Sequence, residues 1–271
     1  MVGAFGDRGR GGLPSPAIGT PHRVVRTNPG GSVQFVADAS SFEGGEFELF
    51  GEPHLIALTL VVLAQVLLAK TMKDASPVAR GRVRVGLAAG LVAQEVSYHA
   101  WRLATGTWTA REMVPLHLCS VAVWFGAAML ALRNQTLYDH LYYVATFGAT
   151  IALLTPDIGR FGFPHYRFFQ FFVSHGLVLG APWWMTFVEG FRPSRGSLLR
   201  AMAGTVVHGA GAYLVNRRLG SNYMFVSRKP ATSSVLDKLP DWPGYLPYVA
   251  AAVFAAYGAL ALPWALKDAQ G

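Results

Sequence analysis

Two side chains stand out as a possible chemical pair, the solitary Cys119 and His175. Cys119 lies in the hydrophobic run 113–133, MVPLHLCSVAVWFGAAMLALR. That run has about 20 residues, the length a helix needs to cross the ~30 Å hydrocarbon core of a bilayer. The thiol is roughly seven residues in, which puts it on the order of 10 Å below one surface. His175, in FFQFFVSHGLVLGAP, is about eight residues into another such run and reaches a similar depth, ~10 Å. A thiolate is a strong nucleophile, and an imidazole that titrates near neutral pH is the ordinary base for producing one. Each residue also has a plainer reading. The thiol can be a small apolar group in a helix contact, and the imidazole a neutral core group bonded to a carbonyl.

The elements that must position such a pair are hydrophobic helices. Of the 271 residues, 52% are hydrophobic and 14% charged, against about 25% charged in soluble domains. Mean hydropathy is positive. Seven runs near the spanning length are expected to be helices, over residues 54–72, 83–102, 113–132, 137–155, 167–188, 198–216 and 245–266. The fourth is the most polar, and its small and hydroxylated residues suit a helix buried among others. The fold expected is an all-α membrane bundle of about seven transmembrane helices around an intramembrane polar chamber. Residues 1–46, rich in Gly, Pro, Ser and Arg, read as a disordered tail, and residues 47–271 as a single domain. The tail lacks the apolar core of a signal peptide before Leu55. The net charge of +8 comes largely from residues flanking the apolar runs. It points to topology and lipid headgroups, with no nucleic-acid partner expected.

Alternating direction makes the third and fifth spans parallel. Both begin on the face where the second, fourth and sixth end. Glu95, His99, His117, Cys119, Asp157, His165, His175, His208, Asn216 and Asn222 all fall in that half, and His54 joins them, so six of the eight histidines gather there. Ionisable groups at membrane depth usually face a bundle interior or an aqueous cavity. Pro115 is expected in the first turn of the third helix, whose amides then point towards the chamber and give Cys119 modest dipole help. Glu95 can orient His175 or bond another buried polar group. His117 projects away from Cys119, being two residues off on a helix. Asn222 and the amides near Pro115 are the candidate oxyanion donors. Arg228 and Lys229 in the segment after the sixth span are candidate ligands for a lipid phosphate. Glu95, His117, Asn222, Tyr223, Arg228 and Lys229 thus make up the candidate substrate-binding set. No HExxH, CxxC or His pair four residues apart occurs, so no metal or other cofactor is expected.

The stretches FELFGEPHLIAL (47–58), VPLHLCSVAVW (114–124), LLTPDI (153–158), FFVSHGLVL (171–179), and NRRLGSNYMFVSRKP through LDKLPDWPGY (216–245) resemble the YwaF-like integral membrane family of bacteria and its eukaryotic relative, transmembrane protein 164. The resemblance covers the chain from Phe47 to the last span. It implies a membrane-embedded acyltransferase in which Cys119 is the nucleophile and His175 the base, moving a fatty acyl chain between a phospholipid and a lysophospholipid. The alternatives are a lipid hydrolase on the same Cys–His site and a non-enzymatic transporter of lipids or small molecules. The membrane expected is the bacterial cytoplasmic (inner) membrane. Loop 70–84 is the most basic short loop and argues for a cytoplasmic position there and an external N-terminus, while the basic segment 217–244 on the opposite side weighs against it and leaves the orientation open.

Overall fold

A computed structural model of the chain describes residues 34–230 and 235–270. Among these residues there are eight α-helices and no strand. Seven are long: α1 (Glu52–Met72), α2 (Pro77–Ala104), α3 (Leu118–Leu132), α4 (Gln135–Leu154), α5 (Tyr166–Phe187), α6 (Ser197–Leu219) and α7 (Leu246–Gln270). The eighth is a single turn, Ala110–Met113. Local chemistry fixes several ends. The Ser76 hydroxyl accepts from the Ala79 amide just ahead of Pro77, the Asn134 side chain accepts from the Leu137 amide, and Gly220 ends α6 at φ 66°. Glu52–Met72, Ser197–Leu219 and Leu246–Ala269 are long and apolar enough to cross a membrane, and Leu118–Leu132 is apolar but shorter. This is a helical membrane protein. Five of the seven expected runs match their helices to within about four residues at each end, whereas the second helix begins six residues earlier than expected, at Pro77, and the third five residues later, at Leu118.

Cross-helix bonds establish the alternating directions. At the site face, where α3 and α5 begin, the His54 imidazole near the start of α1 bonds the carbonyl of Leu153 at the end of α4 (2.9 Å) and accepts from the Phe50 amide. At the opposite face Tyr138 and Thr186 share a hydroxyl bond of 2.8 Å. There Asp139 pairs with Arg200 (2.9 Å) and Glu189 with Arg133 (3.0 Å). Small residues permit close crossings, as is usual where helices pack without a hydrophobic driving force between them. A Cβ added at Gly126 of α3 would lie 3.3 Å from Leu91 Cδ1 of α2 and 3.6 Å from Ala181 Cβ of α5. Gly180 of α5 likewise faces Gln65 of α1, whose side-chain amide donates to the Gly176 carbonyl (2.9 Å).

Part of the segment read as a disordered tail is packed against the site face. Residues 1–33 lie outside the described residues, but 34–51 form a strap there. Trp101 Nε1 donates to the Val36 carbonyl (2.8 Å), His165 Nε2 to the Ala37 carbonyl (2.9 Å), and the Phe42 ring is buried. Asp38 turns the strap by accepting from the hydroxyls and amides of Ser40 and Ser41, and the Ser40 hydroxyl foremost holds its carboxyl far below the usual range. This was not legible in the sequence, because the anchoring groups belong to residues more than 60 positions away.

His165 precedes the first turn of α5. It is enclosed by Phe42, Phe161 and Trp101, and its Nδ1 accepts from the Arg167 amide, so the ring is neutral with its proton on Nε2. Burial holds it below the ordinary value of 6.5, helped by the Arg167 charge and opposed by the Ala37 bond. The unfolded state therefore takes up the proton first. The contribution of His165 to strap anchoring is full above pH 6.5 and declines as pH falls towards the lower folded value. Hydrogen exchange in peptides covering 34–46, corrected for intrinsic rates, should rise between pH 7.5 and 5.5. Unchanged protection would rule the histidine out as a strap anchor.

Candidate active site

The helix bearing the thiol starts late because the chain breaks before it. Pro115 lacks an amide hydrogen and disfavours the helical region for the residue before it, and Val114 is extended at φ −65°, ψ 131°. Pro115 therefore precedes α3 rather than occupying its first turn. His117 becomes the N-cap and Cys119 the second helical residue. The amides of a helix start lack partners within the helix and favour negative charge in its first turn, which is where Cys119 stands.

A broken backbone inside a membrane protein needs its polar groups satisfied, and the segment after α6 does this. The Tyr223 hydroxyl donates to the Ala110 carbonyl (2.6 Å) and accepts from the Val114 amide (3.0 Å). His117 Nδ1 accepts from the Met224 amide (3.3 Å) and its ring packs on Tyr223 and Phe225. His208 Nε2 donates to the Leu116 carbonyl (2.9 Å). Asn216 in turn holds the Tyr223 amide and carbonyl. The NYMF stretch is thus the clasp of the break that puts Cys119 at a helix start.

Cys119 and His175 lie in matched register. α3 and α5 run the same way and cross at Gly126 and Ala181. Counting back seven residues on α3 and six on α5 gives ~10.5 Å and ~9 Å towards the site face, so the two side chains are at nearly one level. Cys119 is half-buried and free, with its Sγ against α4, where a Cβ at Gly148 would lie 3.5 Å from it. His175 is half-buried, and its Nδ1–H donates to the Phe171 carbonyl (2.9 Å). That bond assigns the tautomer and leaves Nε2 as an acceptor. No hydrogen bond joins Cys119 to His175 among the described residues.

The other sequence candidates serve different partners. Glu95 is buried beside His99 (3.6 Å), whose Nδ1 accepts from Trp108 Nε1 (3.0 Å), and is not bonded to His175. The Asn222 side chain bonds backbone groups of Ser227, Arg228 and Lys229, closing its own loop. Lys229 is bound to the Leu239 carbonyl and Asp241 (2.8 and 3.3 Å), whereas Arg228 is exposed and reaches the Ser221 carbonyl. Sequence reasoning missed Arg167, whose guanidinium sits 4.4 Å over the Tyr98 ring and bonds Gln170. Its signal was the spacing 167, 171, 175, one stripe of α5 ending on His175. Gly126 and Gly148 carried no signal, because a glycine's neighbour across a crossing cannot be read from one chain.

The TMEM164 family profile matches residues 49–261. A Treponema pallidum (strain Nichols) protein, described only as an uncharacterized protein, is 32% identical over 120 residues. That stretch is 44% of this chain and 50% of the relative, so the match spans about half the length of that protein. No solved structure matches.

Proposed function

This chain belongs to the TMEM164 family, and on that premise we propose that it is a phospholipid transacylase with Cys119 as nucleophile and His175 as base. In this reading all seven long helices cross the bacterial inner membrane, and the reaction takes place where α3, α4 and α5 meet. α3 has 15 residues, ~22 Å against a ~30 Å core, so its start is recessed below the site face. No general polar chamber is part of this reading, since His54, His99, His117, His165 and His208 all bond other groups.

His175 Nε2 accepts the Cys119 proton, and the thiolate attacks an ester carbonyl of a phospholipid. The C–O bond breaks, the departing lysolipid alkoxide takes the proton from the imidazolium, and an acyl thioester remains. A hydroxyl of a second lysophospholipid then gives its proton to His175 and attacks the thioester. The C–S bond breaks, and the departing thiolate takes that proton back from the imidazolium, restoring the thiol and the neutral imidazole. The amides at the start of α3 are the nearest donors for the oxyanion. No cofactor enters these steps.

The observation that carries this reading is the shared level of a helix-start cysteine and a histidine with a free acceptor nitrogen, on adjacent parallel helices. After incubation with phosphatidylcholine vesicles, intact-mass analysis should show a fatty-acyl addition that hydroxylamine removes. An added lysophospholipid should discharge it faster than water alone. Equal discharge rates would make the protein a hydrolase, and no adduct would remove the covalent mechanism.

A further inference from the structure

An acyl group on Cys119 needs room for its hydrocarbon tail, and two apolar concavities lie near. The larger, about 760 Å³, lies between α1 and α5 and includes Leu60, Val61, Phe172 and Gly176. His175 is one residue, ~100° round the helix, off that wall. The second, about 410 Å³, is a cleft between α3, α4 and α6, with Val121, Phe125, Leu141, Val144 and Val207 in its walls. Its α4 wall follows residues 137, 141 and 144, and the next position on that stripe is 148. Gly148, one turn beyond that wall, is the residue against which the Cys119 Sγ rests, so the line of the cleft runs towards the thiol. The other end is polar. There the His140 ring lies against α6, where a Cβ at Gly204 would come within 2.8 Å of it, and the Asp139–Arg200 pair lies beyond.

We propose that this cleft holds the fatty-acyl chain carried by Cys119, with His140 as its floor, and that it sets the chain length transferred. The inference rests on the acyl-enzyme reading above. From Gly148 to His140 the cleft runs ~12 Å along α4. Phe125 and Val207, 45% and 71% exposed, leave its side open to bilayer hydrocarbon, so a chain still attached to its headgroup slides in laterally. The apolar walls suit methylenes. The His140 ring halts them by filling the end of the cleft.

The test compares adducts formed from dioctanoyl- and dipalmitoyl-phosphatidylcholine vesicles. In Val121→Trp the palmitoyl-to-octanoyl adduct ratio should fall roughly tenfold or more, the factor by which a pocket discriminates even one methylene. His140→Ala should raise it by opening the floor, and Val173→Trp, in the α1–α5 concavity, should leave it unchanged. Adducts that form with an unaltered ratio in both cleft variants overturn the proposal, as does a shift in Val173→Trp alone. A palmitoyl phosphatidylcholine carrying a diazirine on its chain gives a readout independent of acylation. Crosslinks on α3, α4 and α6 support the cleft even where no adduct forms, which would defeat the acyl-enzyme reading by itself. Crosslinks confined to α1 and α5 overturn it.

Discussion

Cys119→Ala is expected to form no acyl adduct and to lose transacylation entirely while keeping its fold. The thiol is half-buried beside Gly148 and makes no hydrogen bond among the described residues, so removing one sulfur leaves no polar partner orphaned. His175→Ala is expected to keep the adduct but to form it ~10²–10⁴-fold more slowly, the usual contribution of a positioned base. Its Nδ1–H bond is to the carbonyl of its own helix one turn back, so its loss leaves no distant element unanchored. Both rates are read from the growth of the acylated mass with phosphatidylcholine vesicles. Turnover that persists in Cys119→Ala would refute cysteine catalysis. An unchanged rate in His175→Ala would assign the base elsewhere.

Gly126→Leu is expected to damage the same chemistry from two helical turns away. Leu91 and Ala181 already close on this glycine from α2 and α5, and both are buried. An isobutyl group must push α3 and α5 apart, and overpacking of this kind costs about 1–3 kcal/mol. Because the crossing sets where Cys119 stands against His175, a displacement of about 1 Å there should lower acylation by ~10²-fold. Gly126→Ala asks only that the tip of Leu91 yield slightly, so it should be nearly silent. Leu91→Ala should recover part of the Gly126→Leu rate by returning space. Thermal unfolding and acylation are measured on the same preparations. A lowered melting temperature with unchanged acylation would show that the crossing does not position the site.

The amino-acid sequence by itself determined the class of protein, five helices to within a few residues at each end, and the alternating directions of the helices. These follow from short-range physics, since an apolar run long enough to span hydrocarbon must satisfy its own backbone groups and therefore becomes a helix. Direction then put Cys119 and His175 in the same half. Tertiary structure decided the rest. Pro115 reads in the sequence as a first-turn proline, whereas the Tyr223 clasp 113 residues from Ala110 lets the chain break there instead. Glu95 found His99, and Asn222 found its own loop, because each polar group takes the partner that packing brings within reach. The strap at 34–51 shows no periodicity, and its order comes from Trp101 and His165 on distant helices. The level of the thiol against the imidazole depends on Gly126 meeting Ala181. Such a crossing is a property of two surfaces fitted together, and neither helix encodes it alone.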